Sequence, residues 1–576
     1  MKRGTLPWLL RDWAQKKGDE TLYTFLDHAG EETSSTSYGE CLAEAEGLAR
    51  NLALRAARGE RVLILALESQ GFVRAFLASQ LAGTIAVPAY PPLPMAGGRS
   101  IRALNAIIAD CRPSIVLSDG GAEQREMFCQ AAPALVDLPW LGLDPGSGGA
   151  ESGPLREVDS AATSFLQYTS GSTSSPKGVV VSHSALLAQE EMLEDCLNSS
   201  WEDVVIGWLP LYHDMGLIGN LLHPLWLGAR AVLMSPLTFI QSPVRWLRAI
   251  TQYRGTVAGG PNFGYELCVR RVPEEDLDDI DLGSWRLAFN GAEPVKAGTL
   301  ESFARRFGPR GFSPAAAYPC YGLAEATLLA TGAGPGRGPL CFSADIDALE
   351  AGELVEGSGR VLVSSGIARR DRRIEIADPE SGRRMPEGSI GEIWVSGRDL
   401  ACGYWGRPEE TAATFDARLA QTADGPFLRT GDLGALRDGQ LFVTGRLKDL
   451  IIVAGRNHYP QDIETTVEAC DPVLRAGCCA ACACGEADRE SVAVVAELKR
   501  GTTLPEDRQA ALEEAIRVAV ARVHGIRLER VELIPADCLP KTSSGKIQRQ
   551  ACRAIAEQGW HDSAARGLAR ASEGRG

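Results

Sequence analysis

The densest chemistry in this chain lies in Tyr168-Thr169-Ser170-Gly171-Ser172-Thr173-Ser174-Ser175-Pro176-Lys177-Gly178, a run of hydroxyls and glycines closed by one ammonium. Gly171 and Gly178 let backbone N–H groups turn toward a bound oxygen, the Ser and Thr hydroxyls donate further hydrogen bonds, and Lys177 adds a compact positive charge. Such a loop holds an anion, and a polyphosphate suits it best. It is not the G-x-x-x-x-G-K-[ST] nucleotide loop, because its lysine precedes the last glycine and no Ser or Thr follows to hold magnesium from a helix N-terminus.

Four further strings carry groups of the same kind. Trp208-Leu209-Pro210-Leu211-Tyr212-His213-Asp214-Met215-Gly216-Leu217 delivers an aromatic-His-Asp cluster to the start of an apolar helix. Leu287-Ala288-Phe289-Asn290-Gly291-Ala292-Glu293-Pro294 puts a flat, small-residue turn after a strand, a surface for an aromatic ring. Tyr321-Gly322-Leu323-Ala324-Glu325 offers a carboxylate beside a glycine turn, as magnesium on a triphosphate requires. Arg429-Thr430-Gly431-Asp432-Leu433-Gly434 supplies an acceptor-only carboxylate suited to two ribose hydroxyls. Singly, His213 reads as a satisfied buried histidine and Glu325 or Asp432 as a cap or exposed charge; Phe263, in Pro261-Asn262-Phe263-Gly264-Tyr265, reads either as part of a turn or as a pocket wall. Their order along one chain gives them joint meaning.

The elements that must position these groups read as an α/β protein. Phe165-Leu166 and Val179-Val180-Val181 predict strands on either side of the hydroxyl loop. Upstream, an entry helix from Leu6, a strand Thr21 to Phe25 and a helix Ser37 to Arg50 precede an alternation: strand 61–66, helix 71–82, strand 84–88, helix 99–110, strand 114–118. That alternation predicts layered, mixed or parallel sheets with helices in the large part of the chain. Residues 144–154, rich in Gly, Ser and Pro, predict a loop, and the apolar run Met215 to Leu227 a buried helix. Gly445-Arg446-Leu447-Lys448-Asp449 is a polar joint, followed by an α+β remainder with a helix 460–468, strands 491–498 and 530–534, and a helix 508–523. We expect a large domain over 1–445, a hinge at 446–449 and a small mobile domain over 450–576, with a frayed tail after Trp560.

Composition narrows the class. At 576 residues the chain exceeds what one core usually supports, and 45% hydrophobic with 23% charged residues describes a globular protein. A net charge of −15 argues against nucleic acid as a main partner. No apolar stretch reaches ~20 residues, so stable membrane insertion is not expected. Fifteen cysteines without an export signal fit a reducing cytoplasm, and Cys478, Cys479, Cys482 and Cys484 read as a buried small-residue strand rather than a zinc set.

The ordered string Thr169 to Gly178 resembles the signature loop of the adenylate-forming superfamily, and Pro540-Lys541-Thr542-Ser543-Ser544-Gly545-Lys546 resembles its terminal catalytic-lysine loop. With Tyr212-His213-Asp214-Met215-Gly216-Leu217, Tyr321-Gly322-Leu323-Ala324-Glu325-Ala326-Thr327 and Gly455-Arg456-Asn457-His458-Tyr459-Pro460-Gln461-Asp462, the chain is most similar, over about residues 10–555, to the fatty acyl-AMP ligases. The resemblance implies ATP and Mg2+ as cofactors, a fatty acid substrate and an acyl carrier protein supplied in trans. It implies that Thr169, Ser170, Gly171, Ser172, Thr173 and Lys177 hold the phosphates, and that Glu325, with Thr169, holds magnesium. Gly291, Ala292, Glu293, Tyr321 and Gly322 would bracket adenine, Asp432 and Arg446 the ribose, and Lys546 would catalyse adenylation with His213 and Lys177. Lys448 would sit at the hinge, and His213, Phe263 and Asn290 would face the acyl group. It also implies an inserted segment within 333–360 that restrains the small domain; Ala454 departs from the family pattern. An acyl-CoA synthetase and a non-catalytic nucleotide or lipid sensor stand as alternatives.

Overall fold

The computed structural model describes residues 4–92, 97–143, 155, 157–169, 176–453, 455–484, 491–541 and 546–560, with the backbone alone for 97–99. Ser170, Gly171, Ser172 and Thr173 of the phosphate-loop expectation lie outside the described residues, as do 144–154, Ala454, 542–545 and the tail after Trp560.

Two large sheets carry the first part of the chain. In a six-stranded sheet the order is Trp140–Gly142, Ile115–Ser118, Arg61–Ile64, Ile85–Pro88, Thr163–Thr169, Lys177–Ser182. All neighbours pair in parallel except the last two, which form an antiparallel hairpin around the hydroxyl loop. Side chains along Arg61–Ile64 alternate between two buried layers: Val62 and Ile64 join one cluster, Leu63 and Leu65 the other. That is why the strand reads as one unbroken apolar run. The helices Tyr38–Leu52 and Ser69–Ala82 pack in the first layer. A capping box starts the former: Ser37 Oγ accepts from the Glu40 N–H, and Glu40 Oε2 accepts from the Ser37 N–H at 2.8 Å.

The eight-stranded sheet runs Leu329–Gly332, Ala317–Gly322, Leu287–Asn290, Val257–Gly260, Val204–Gly207, Arg230–Leu233, Thr21–Leu26, Glu32–Ser37. Its six inner strands are parallel, and the two outermost are antiparallel. Both large sheets are therefore parallel inside with antiparallel pairs at the edge, the layered mixed/parallel arrangement expected. Glu32–Ser37 was not expected: an edge strand of Glu, Thr and Ser has no apolar face to betray it. The expected helix from Met215 is a π-helix over Met215–Leu222 followed by an α-helix over His223–Leu227. Phe263 lies on a helix, Asn262–Arg271, and not in a turn.

A four-stranded antiparallel sheet, Arg373–Ala377, Gly391–Ser396, Leu428–Arg437 and Gln440–Arg446, leads to the polar joint. Beyond it stand the short pair Ile451–Val453 with Arg456–His458 and a three-stranded sheet of Leu474–Cys484, Ser491–Leu498 and Leu528–Ile534. No sheet among the described residues mixes strands from the two sides of the joint. Helices cover both faces of the three-stranded sheet: Cys479 and Ala481 pack with Ile463 and Ile516, while Cys478, Ala480, Cys482 and Cys484 pack with Cys552 and Ile555. Small side chains on both faces let the helices approach, which accounts for the cysteine-rich strand without a metal. Among the described residues no cluster of His, Cys, Asp and Glu is arranged to hold a metal ion.

Candidate active site

Parallel strands aim their C-terminal ends at one edge, and ligands of open α/β sheets bind there. Gly260, Asn290 and Pro319 stand in register across three such strands. The turns that follow them open onto a cleft of about 2180 Å³, whose far wall is built by Arg446, Lys448 and Lys546. Gly322 closes one turn where nothing larger fits: an added Cβ would lie 1.9 Å from the Leu328 carbonyl oxygen. Ala292 holds a left-handed φ of 67°, a conformation that non-glycine residues adopt chiefly where surrounding structure enforces it.

Polar groups converge on the cleft from distant segments. Asp432 accepts the Tyr321 hydroxyl at 2.8 Å and takes Arg446 Nε at 3.1 Å on its other oxygen. Glu293 accepts the Phe263 N–H at 2.6 Å, and burial raises its pKa. Glu325 accepts the Tyr404 hydroxyl at 2.8 Å; burial raises its pKa too, with Asp432 adding to the rise. Lys546 comes from the far end of the chain. Burial and then Arg446 push its pKa below the ordinary lysine value, against the opposing pull of Asp214, Asp432 and Glu293. His213 is lowered by burial first; Asp214 pulls it up and Lys546 down. Lys546, Arg446 and the carboxylates of Asp214, Glu293, Glu325 and Asp432 thus line one cleft.

Residues 10–405 match the AMP-binding enzyme family, and residues 448–559 match the AMP domain described as Disco-interacting protein 2-like. The chain is 39% identical over 559 residues to the medium-chain-fatty-acid–[acyl-carrier-protein] ligase JamA of Moorena producens, covering 95% of this chain and 94% of that protein. A solved structure from work on fatty acyl-adenylate ligases of E. coli and L. pneumophila superposes with a TM-score of 0.87 at 33% identity, covering 98% of this chain and 99% of that one. The chain belongs to the AMP-binding enzymes, among the fatty acyl-AMP ligases. Another member of the group, the fatty acyl-adenylate ligase of L. pneumophila solved with acyl adenylate and pyrophosphate, is 37% identical over 96% of both chains, with a TM-score of 0.75.

Within this AMP-binding enzyme the expected residues fall into two sets. Thr169, His213, Phe263, Ala292, Glu293, Tyr321, Gly322, Glu325, Asp432, Arg446, Lys448 and Lys546 line one cleft. Lys177, Gly291 and Asn290 do not. Lys177 Nζ lies 2.5 Å from Glu410 and 4.9 Å from the centre of the Tyr404 ring. Asn290 is fully buried behind the turn, and neither side-chain amide atom has a hydrogen-bond partner among the described residues. Tyr404 and Glu410 were absent from the sequence expectation. Residues 402–405 pair with the Lys177–Ser182 strand, through the Val180 N–H to the Gly403 carbonyl and the Trp405 N–H to that of Gly178. This pairing brings Tyr404 beside both Lys177 and Glu325, and no local pattern announces it.

Proposed function

We propose that this ligase activates a fatty acid as its acyl-adenylate, consuming ATP and releasing pyrophosphate, and passes the acyl group to the phosphopantetheine thiol of an acyl carrier protein supplied in trans. The observation that carries the reading is Lys546 standing in one buried cleft with Asp214, Glu293, Asp432 and Arg446. A carboxylate oxygen attacks the α-phosphorus in line; the O–P bond forms as the bond to pyrophosphate breaks. Little covalent help is needed, so positioning and charge neutralisation supply the acceleration. In this reading Asp432 and Arg446 hold the ribose, the 291–293 turn and Tyr321 bracket adenine, and His213 and Phe263 border the acyl carboxylate. Lys546 neutralises charge that develops between carboxylate and α-phosphate. In the second step the carrier thiol attacks the acyl carbonyl, AMP leaves, and the thiol proton passes to solvent.

Glu325 suits a magnesium ion carried by the substrate. It is a partly buried carboxylate whose pKa is raised by desolvation, and a hard cation bound chiefly by phosphate oxygens and waters asks the protein for one or two carboxylates. When bound, the ion would neutralise phosphate charge; Thr169 lines the same cleft as a second oxygen donor.

The reading divides the chain into a large domain, 1–445, a hinge at 446–449 around Lys448, and a small domain, 450–576. The segment within 333–360 would tether the two. In support, Ala344, Leu349, Leu354 and Leu362 pack with Phe442 and Tyr459, and Arg360 Nη1 lies 3.0 Å from Asp462. Glu350 meets Arg456 at 3.4 Å and His458 at 3.0 Å. A cytoplasmic setting belongs to the reading, and all fifteen cysteines are free thiols. Among the described residues no helix is long and apolar enough to cross a membrane.

The test is direct. Incubation with ATP and fatty acids of graded length, with hydroxylamine as trap, yields acyl hydroxamate and pyrophosphate. CoA and a holo carrier protein are then offered in turn. Carrier thioester without matching CoA thioester is the expected result; equal rates on CoA would make the chain a CoA synthetase, and no pyrophosphate with any acid would refute adenylation.

A further inference from the structure

The cleft has an inward arm. Leu193, Leu197, Val257 and Tyr318, all buried in the main core, line it together with Gly219 and His223. Gly219 and His223 stand four residues apart on the segment that begins beside His213, so the arm runs along one helical face away from the reacting end.

Each of the two residues has an unusual setting. A glycine inside a helix is less favourable than alanine, so its presence asks for a reason. Gly216 has one: an added Cβ would lie 2.1 Å from the Pro210 carbonyl oxygen. At Gly219 an added Cβ would meet nothing within 4 Å apart from its chain neighbours and its own helix backbone. What the glycine keeps open is therefore cavity. His223 is clamped at both nitrogens, Nδ1 at 2.7 Å from Glu190 Oε2 and Nε2 at 2.8 Å from Ser199 Oγ, and all three residues are buried. A ring fixed at both edges cannot swing aside. It makes a rigid end wall.

We propose that Gly219 and His223 set the length of the acyl chain: the glycine opens the arm and the clamped histidine ends it. Between His213 and His223 a helix advances at most about 15 Å, and an extended sp3 chain advances roughly 1.25 Å per carbon, so the arm takes straight-chain acids up to about twelve carbons. The inference deepens the adenylation reading and rests on it.

The experiment measures kcat/KM for pyrophosphate release across hexanoate, octanoate, decanoate, dodecanoate and hexadecanoate, for the full chain and three variants. Because each result is a ratio between acids within one preparation, the folded fraction cancels. The unmodified chain is expected to favour decanoate or dodecanoate over hexadecanoate. Gly219→Ala, and more strongly Gly219→Leu, should lower the dodecanoate-to-octanoate ratio, by about tenfold for the leucine. His223→Ala combined with Glu190→Gln, which avoids stranding a buried carboxylate, should raise the hexadecanoate-to-decanoate ratio by a similar factor. Hexadecanoate preferred by the unmodified chain, or a profile unmoved by the Gly219 variants and the double variant, would overturn the proposal while leaving adenylation standing. Pyrophosphate release with none of the acids would overturn the adenylation reading and this inference together.

Discussion

Replacing Lys546 with alanine separates catalysis from stability more cleanly than any other change in this protein. The ammonium stands among Asp214, Glu293 and Asp432, with Arg446 as the other strong cation acting on it. Its removal leaves those carboxylates facing an incoming triphosphate and carboxylate with one cation fewer. A unit charge about 4 Å from developing negative charge is worth about 4 kcal/mol at an effective dielectric of ~20, or roughly a thousandfold in rate. Loss of one preorganised donor to a developing oxyanion costs about 100- to 1,000-fold, in the same range. The stability effect has the opposite sign. Burial and Arg446 depress the Lys546 pKa, so folding disfavours its charged form, and its loss should leave the melting temperature unchanged or raise it. The assay is single-turnover acyl-hydroxamate formation beside a thermal melt at the same pH. Adenylate formation within a few-fold of the unmodified rate would refute the reasoning, and so would a rate loss that merely follows a fall in melting temperature.

Further expectations follow from the same contacts. In the proposed mechanism Lys546 works as the ammonium and its pKa is lowered, so kcat/KM should fall as pH rises through a value below the ordinary lysine range; Lys546→Arg, which stays charged, should lose that alkaline limb. Glu325→Gln keeps the Tyr404 contact site but removes the carboxylate, and should raise the magnesium concentration for half-maximal adenylation by at least about tenfold; an unchanged magnesium titration would exclude Glu325 as its holder. Arg360→Ala cuts the Asp462 pair and the hydrogen bond to the Thr444 carbonyl at once, and should raise CoA thioester formation relative to carrier thioester, read by chromatography of both products; a constant ratio would release the 333–360 segment from its tethering role. Asp399→Ala leaves the fully buried Arg372 without its carboxylate, and should destabilise the chain by about 3–5 kcal/mol in urea titrations.

Much of the fold was legible because burial on both faces writes a strand as an unbroken apolar run, and helices on the surface write a period near four. The Ser491–Leu498 and Pro460–Glu468 elements fall at the expected residues for that reason. Glu32–Ser37 hid because most of its side chains face solvent. The π-helix hid because a shift in backbone hydrogen-bond register leaves composition untouched. In the site, Thr169, His213, Glu325, Asp432 and Lys546 were readable as types of chemistry at particular loops. Their partners were not. Tyr404 reaches Glu325 through strand pairing between distant segments, and Glu410 meets Lys177 from a helix that carries no motif.

The ion pair between Lys177 and Glu410 bears on how the proposed phosphate grip would be loaded. A lysine held 2.5 Å from one carboxylate, with its charge over the Tyr404 ring, is not simultaneously a free phosphate ligand. Arg407 adds a second cation to Glu410 at 3.0 Å, so the carboxylate keeps a partner if Lys177 departs. Lowering of the Glu410 pKa comes from Lys177 first and Arg407 next. The cost of releasing Lys177 is therefore that of an exposed pair with a substitute cation at hand, about 1 kcal/mol or less, well within what a triphosphate returns. Lys546 differs in kind: it is half-buried among Arg446, Asp214, Asp432 and Glu293, and desolvation lowers its pKa. In the proposed mechanism the two lysines would divide the work, Lys177 exchanging an acidic neighbour for phosphate as nucleotide arrives, and Lys546 meeting the charge that develops when the carboxylate attacks.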